Sequence, residues 1–514
     1  ERPVVGSAGE GTARKRLMEE GLRSLEKGLW AVATFAGGAG TRFASELEAL
    51  SQLEHPNRRL RLGRFRPNMP KGTFPISPVA GLSFLELGIG YSLGWAVRAR
   101  RMPPLLFMTS ELTHEQTRAF LAGACLWGLD PAHLVLFRQG QVPRLDEKGR
   151  LVVMADGSVC TTGDGHGGIY KALTRKEGGK SVLEELTGRG VRHIVMHNVD
   201  NPVARALEPV RLGYHLLEDA LFTISIVRRR DTSEKVGVVV RRNDTGRIEV
   251  VEYSVLPPGL GEARAGDGSL LFDAANVNTN IVACEAVRPD IEPTLYTGKK
   301  VQSRTGQVGA SSYEMLNQHL TRLLDPERVK LLEVERDEFF MPTKSVLGEG
   351  SSVQSTARAL SRLYRQRLEQ AGARVAESAV CDLHPACLDA VSPESMGVGD
   401  NFILEERSRL YLGTVTDHLR PEQIFEGGVV LEPDSELIVI VKAPWGKISI
   451  DSERRVELDP NSRSRLHVKG RLRVERGVSV VMVIGEGATI EVPAGHTFRH
   501  DEVVSASAGT TVTI

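Results

Sequence analysis

The stretch ATFAGGAGTRF, residues 33–43, carries the first group of residues that could do chemistry. An apolar run, Ala31 to Ala36, breaks into Gly37, Gly38, Ala39 and Gly40, followed by Thr41 and Arg42. Glycines after a buried strand let backbone approach a ligand closely, and phosphates are a frequent ligand of such turns. Three anion-binding turns compete here. A P-loop ends in Gly-Lys-Ser/Thr, whereas this chain reads Gly40-Thr41-Arg42. A dinucleotide turn needs a third glycine where Phe43 stands, and an acid further on where Arg58 and Arg59 stand. A nucleotidyltransferase turn wraps a nucleotide in glycine backbone, and its arginine grips the departing pyrophosphate by two oxygens at once. A plain strand-to-helix turn with a solvated arginine is the fourth reading. Two more residues fit charge-handling chemistry. PKGTFPISP (70–78) fixes Lys71 between Pro70 and Gly72, a stiff setting for a single cation. Asp200 ends the apolar run RHIVMHNVD (192–200), and a carboxylate at a sheet's C-terminal edge suits Mg²⁺, a hard cation that takes oxygen ligands. Asp200 or Asn201 could instead cap a helix opening at Pro202.

Further motifs follow in order: RQGQVP (138–143), GDGHGGIYKAL (163–173), NVDNPVA (198–204), VVEYS (250–254), FDAANVN (272–278) and RDEFFMPTK (336–344). With them, residues 30–345 resemble the UTP-dependent sugar-1-phosphate uridylyltransferases, a family of UDP-N-acetylhexosamine, UDP-glucose and UDP-sugar pyrophosphorylases. The resemblance implies the reaction of UTP with a sugar 1-phosphate to give a UDP-sugar and pyrophosphate. The attacking phosphate oxygen is already anionic, so such catalysis is positioning and charge neutralisation, with no general base. By the same resemblance, Ala36, Gly37 and Gly38 pack on the nucleotide, and Gln139 and Gly165 read uracil. Arg42 and Lys71 hold the β- and γ-phosphates, and Lys344 bridges the α-phosphate and the sugar phosphate. Asp200 holds Mg²⁺, while Asp164, His166, Glu252 and Asn276 face the sugar. Lysines and a loop glutamine are also ordinary surface residues, and Glu252 could pair with Arg241 or Arg242 across a hairpin.

The chain departs from the family pattern twice. The spacer 44–69 is longer than usual and crowds Arg58, Arg59, Arg61, Arg64 and Arg66, as a basic lid over phosphates or a solvated loop. His166 stands where N-acetylhexosamine members have Asn, and glucose members have Gly-His-Gly there. A bulkier side chain leaves less room for an acetamido group, so the expectation is a preference for glucose 1-phosphate. The alternatives are a UDP-N-acetylglucosamine pyrophosphorylase and, from another class, a non-catalytic nucleotide-sugar-binding protein.

The elements that must position these residues read as an α/β unit. Met18, Leu22, Leu25 and Leu29 recur at helical spacing, predicting a helix over 12–28. LLFMTS (105–110), RHIVMHNVD and ALFTISIV (220–227) read as buried strands between helical patterns, and KVGVVV and RIEVVEYS as a hairpin around RNDTG. Thr113 with Gln116 predicts a capping box. Alternating strands and helices predict a mixed, mostly parallel nucleotide-binding sheet of the GT-A or Rossmann-like kind. A helix is predicted over 355–373. Beyond residue 405 short apolar runs alternate with glycine corners, predicting a small all-β unit, a β-helix or a sandwich. The family's glucose and broad-range members end in a left-handed β-helix. The division expected is thus an N-terminal helical segment (1–29), a catalytic domain (30–385) and a C-terminal β domain (386–514). No motif lies in the tail, so its removal is expected to spare UTP binding.

Composition narrows the partners. The 514 residues are 41% apolar and 25% charged with zero formal net charge, so no bulk field argues for nucleic acid or an anionic membrane. No apolar run approaches a membrane-spanning length, and residues 1–16 carry no signal-peptide core. Five scattered cysteines predict free thiols in a reducing cytoplasm and no zinc site.

Overall fold

Trp30–Phe35 is buried along its whole length, and that continuous burial makes it an inner strand of a sheet covered on both faces. The computed structural model describes residues 5–38, 43, 69–124, 126–176, 178–253, 256–257, 259–346, 348, 350–414 and 425–514. Arg42 and the arginines of the spacer lie outside the described residues. The strands up to residue 333 are β1 (Trp30–Phe35), β2 (Leu105–Thr109), β3 (Leu134–Arg138), β4 (Gln141–Pro143), β5 (Thr161–Gly163), β6 (His193–Asn198), β7 (Phe222–Arg228), β8 (Val238–Arg241), β9 (Ile248–Val251), β10 (Ala274–Asn276), β11 (Thr279–Ala283), β12 (Thr294–Ser303), β13 (Gly306–Glu314) and β14 (Val329–Glu333). Ten of them form one sheet in the order β3-β2-β1-β6-β11-β7-β10-β8-β9, with β14 also on β7. The run β3-β2-β1-β6 is parallel, β11 lies antiparallel between β6 and β7, and β8 and β9 form the predicted hairpin. The sheet is therefore mixed, parallel from β3 to β6 and between β7 and β14, and antiparallel through β11, β10, β8 and β9.

Alternation along β1 divides two cores. Trp30 and Val32 face one that holds the helix Phe84–Ala99, and Ala31, Ala33 and Phe35 face another built from Tyr170, Met196, Ile224 and Leu331. Ser83 and Glu86 form a complete capping box at the start of Phe84–Ala99. The N-terminal helix, Gly11–Glu26, packs on Pro209–Leu217, and glycines make the approach close. A Cβ on Gly21 would stand 1.9 Å from the Pro209 carbonyl oxygen, and one on Gly213 1.9 Å from that of Leu17.

Two local expectations are corrected. Thr113 precedes the helix His114–Gly123 but makes no cap bond; its hydroxyl accepts from the Ser110 N–H at 3.0 Å, a turn competing for the same oxygen. No helix starts at Pro202. Turns fill 202–208, and the next helix opens at Pro209 with the Glu208 carboxylate capping Val210 and Arg211.

A helix, Val353–Gln370, leads into a parallel β-helix. Leu383, Leu412, Val439, Met482 and Val504 stack in register through successive coils and are all buried. The coil's own ladders are all parallel, with one antiparallel hairpin, Lys447–Ile450 with Val456–Asp459, set beside them, which favours the coil over the sandwich. Its first strands, Arg374–Val375 and Val380–Leu383, precede residue 386. Apolar contacts run without a break from Leu25 and Trp95 to Met482 and Ile490. Asp382 accepts from the Val79 and Ala80 N–H groups at 3.0 and 2.8 Å, and Asp389 from Tyr91 and Trp95 at 2.7 and 3.0 Å. The coil is packed as a wall of the α/β unit.

Candidate active site

Phe35 of β1 pairs with Asn198 of β6, so the turns after these two parallel strands leave the sheet side by side. Ligands of parallel α/β sheets sit at such C-terminal edges. The Ala36 N–H donates to the Met108 carbonyl at 2.8 Å, which ends the strand, and Gly37 and Gly38 follow. The Gly37 backbone lies against the Gln139 side chain; a Cβ there would be 3.2 Å from Oε1. The Gly38 carbonyl accepts from the Lys71 N–H at 3.1 Å, linking the glycine turn to PKGT.

From there Lys71 reaches Asp200. Its Nζ lies 2.7 Å from Asp200 Oδ2 and 5.2 Å from the centre of the Phe43 ring, which is packed on Phe74. Lys344 Nζ lies 2.9 Å from the same Oδ2. Burial by itself would raise the Asp200 pKa; the charges of Lys344 and Lys71 and their hydrogen bonds outweigh it and hold the carboxyl below its ordinary value. Asp200 Oδ1 is buried and has no partner among the described residues. It is an anionic oxygen free for a hard cation. Among the described residues no group of three or more histidine, cysteine or carboxylate side chains is placed to hold a metal, so this site offers one protein ligand. The two lysines differ in reach: the Lys71 side chain is 15% exposed, that of Lys344 52%. Lys71 is built into the wall, and Lys344 stands over it.

A cleft of about 1350 Å³ opens beside this knot, with Asp200, Lys344, His166, Glu252 and Asn276 on its walls. His166 is half-buried, its ring stacked on Phe35 at 5.2 Å, and its Nδ1 accepts from the Asn317 N–H at 3.1 Å. Burial, then the charges of His319 and Lys344, lower its pKa to about 3, so it is a neutral group with Nδ1 committed to backbone. Glu252 accepts from Gln318 Nε2 at 3.1 Å rather than pairing across the hairpin, and burial raises its pKa. Asn276 Oδ1 accepts from the Asn278 N–H at 2.9 Å.

Asp164 is placed differently from the expectation. It does not line the cleft; its carboxylate is pressed among glycines, within 2.4 Å of where a Gly140 Cβ would be and 2.1 Å of one at Gly168. Gly165 beside it has φ +85°, and a Cβ there would stand 2.2 Å from the Met315 carbonyl oxygen, so both conformation and space exclude a side chain. Sequence reasoning missed the amide floor of the cleft. Asn278 Nδ2 donates to Asn198 Oδ1 at 3.1 Å, Asn317 Nδ2 to Asn278 Oδ1 at 3.0 Å and Asn280 Nδ2 to Asn317 Oδ1 at 3.0 Å. The run Asn276-Val277-Asn278-Thr279-Asn280 was its only local signal.

The family model described as UTP–glucose-1-phosphate uridylyltransferase matches residues 64–346, more than half of the chain. UDP-N-acetylhexosamine pyrophosphorylase-like protein 1 of Homo sapiens is 30% identical over 396 residues, covering 73% of this chain and 72% of that one. The crystal structure of the uridine diphosphate N-acetylglucosamine pyrophosphorylase of Trypanosoma brucei superposes with a TM-score of 0.62 at 24% identity, covering 72% and 74% of the two chains. That of a UDP-glucose phosphorylase of the same organism covers 97% of this chain and 87% of its own at TM-score 0.51 and 16% identity, so its fold extends through the coil. The chain belongs to the UDP-sugar pyrophosphorylase family and is a nucleotidyltransferase, a UTP:sugar-1-phosphate uridylyltransferase. Among the described residues no helix is long and apolar enough to cross a membrane.

Proposed function

We propose that this family member joins UTP to an N-acetylhexosamine 1-phosphate, releasing pyrophosphate. The observation that carries the chemistry is the pair of ammonium groups sharing one carboxylate oxygen at the sheet's C-terminal edge. In this reading an oxygen of the sugar phosphate attacks the α-phosphorus of UTP, and the bond to the pyrophosphate oxygen breaks. Lys71, rigid in the wall, holds the β- and γ-phosphates, with Arg42 as their second cation. Lys344 spans the α-phosphate and the sugar phosphate, the two groups whose charges must be brought together. Asp200 orients both ammoniums before substrate arrives. Asp200 Oδ1 would hold Mg²⁺, which neutralises phosphate charge when bound. Gly37, Gly38 and Gln139 cradle the nucleotide, and Glu252 and Asn276 meet sugar hydroxyls.

Two observations support the N-acetylated sugar. Relatives with an N-acetylhexosamine or N-acetylglucosamine name recur from plants to yeast at 25–30% identity. His166 is tied back to the Asn317 backbone and stacked on Phe35, so its bulk sits in the wall. A preference for glucose 1-phosphate is the second reading, favoured by histidine itself at a position where an asparagine would be smaller. Pyrophosphate release from UTP and Mg²⁺ with N-acetylglucosamine, N-acetylgalactosamine, glucose and galactose 1-phosphates decides between them. A higher kcat/KM for an N-acetylated substrate is expected; a higher value for glucose 1-phosphate restores the second reading. UTP binding with no release from any of the four would mark a binding protein.

A further inference from the structure

Lys344 is carried by a loop, so its ammonium can stay on Asp200 only if that loop is fixed. After the one-turn helix Arg336–Phe339 the chain runs irregularly to Lys344, past the end of β6. The Asn201 side chain, 4% exposed, meets this run with both ends of its amide. Nδ2 donates to the Phe339 carbonyl at 2.8 Å, and Oδ1 accepts from the Met341 N–H at 3.0 Å. Two residues on, the Thr343 N–H donates to the Asp200 carbonyl at 3.0 Å. One side-chain amide thus does what a paired strand residue does, giving a hydrogen to one carbonyl and taking one from the N–H two positions along. Arg205 braces the same run from outside: its guanidinium lies 4.4 Å from the Phe339 ring centre and bonds Glu338 at 2.6 Å and Asp389 of the coil at 3.1 Å. The neighbouring residues Asp200 and Asn201 therefore hold the lysine's loop, while the carboxylate of the first receives the lysine.

We propose that Asn201 is a positioning residue for nucleotidyl transfer, fixing the loop 339–343 so that the Lys344 ammonium and the Asp200 carboxylate form one preset unit. The proposal rests on the role given to Lys344 above. The helix-capping role that sequence offered for Asn201 is gone, since no helix starts beside it. Its amide is spent on a segment 138 and 140 positions away. A small misplacement of a group that contacts transferring phosphates costs orders of magnitude in rate, so a clamp on its loop matters to turnover.

The test is a pair of double-mutant cycles on kcat, with the Kd for UTP as the check on folding. Asn201→Ala is expected to lower kcat about tenfold and leave the UTP Kd within about twofold. In a Lys344→Ala background the same change should cost less than about twofold, because the group it positions is gone; in a Lys71→Ala background the full loss should persist. An equal loss in all three backgrounds makes Asn201 a general structural residue and overturns the proposal. Wild-type turnover by Lys344→Ala itself overturns both the proposal and the reading under it, and is told apart by that single variant. If Asn201→Ala loses UTP binding, Asn201→Asp, which keeps the acceptor for Met341 and loses the donor to Phe339, runs through the same cycles with the same criteria.

Discussion

Asp200 and Asp164 are both buried at the substrate edge of the sheet, at 9% and 3% exposure, yet their surroundings send them opposite ways. Asp200 has two ammoniums on one oxygen and is held below the ordinary carboxylate range against its burial. Asp164 has glycine backbone around it, an Oδ1 without a partner among the described residues and a pKa raised first by burial. Burial alone favours the neutral acid; at Asp200 the contacting cations and their hydrogen bonds reverse it. A carboxylate that stays charged in a closed site is one that can manage phosphates and a metal. Burial pushes Asp164 toward the neutral form, and it lies against glycine backbone rather than cations.

The comparison breaks most sharply at the lysines. Lys71→Ala and Lys344→Ala should each lower kcat at least about a hundredfold with the fold kept, the usual cost of removing a positioned cation from a developing phosphoryl charge. Steady-state pyrophosphate release with circular dichroism as a fold control checks it, and near wild-type turnover for either variant removes that lysine from the mechanism. Asp200→Asn should also lose about a hundredfold and lose its response to added Mg²⁺, measured as rate against Mg²⁺ concentration. Asp164→Asn should do the reverse. Its kcat is expected within about threefold of wild type, and its melting temperature at pH 7 equal or higher, since the substitution removes an ionised group that the folded state disfavours. A large fall in kcat without loss of stability would instead put Asp164 in contact with substrate.

His166→Asn tests the sugar wall. If the ring is only wall, the ratio of kcat/KM for N-acetylated over plain sugar 1-phosphate should move less than about threefold. A tenfold rise, about 1.4 kcal/mol, would make His166 the selector that its bulk suggests. The smallest effect is in pH. His193, His197 and His319 have pKa values lowered to about 4 and His166 to about 3, each chiefly by burial. The unfolded chain, with histidines near 6.5, binds more protons in this range, so stability is complete above about pH 6.5 and falls as pH drops toward 4. Asp200 adds its own loss only lower, below about pH 4, where its unfolded carboxyl begins to take a proton that the folded one refuses. Melting temperature from pH 7.5 to 3.5 should show the first slope, reduced in His166→Asn. An unchanged slope there would mean the ring is not desolvated.

Much of the molecule was legible in the chain itself. Continuous apolar runs dictated β1, β2, β6 and β7, because strands buried on both faces can carry no alternation. Glycine spacing and local setting pointed to phosphate chemistry and to Lys71 and Asp200, and the family resemblance added Lys344. What the sequence could not hold was distance. Lys71 and Lys344 are 129 and 144 positions from Asp200, and only the pairing of β1 with β6 and the loop pinned by Asn201 bring the three side chains within 3 Å. Folding delivered cations to Asp200 and glycine backbone to Asp164. Asn201 read as a helix cap because local rules see only neighbours, and its partners came from a distant loop. The coil read as a separable tail because each short strand satisfies its own period. Yet its apolar column and the carboxylates of Asp382 and Asp389 close onto the helix Phe84–Ala99 and the turn before it, a choice made by burial across the whole chain rather than by any segment's own pattern.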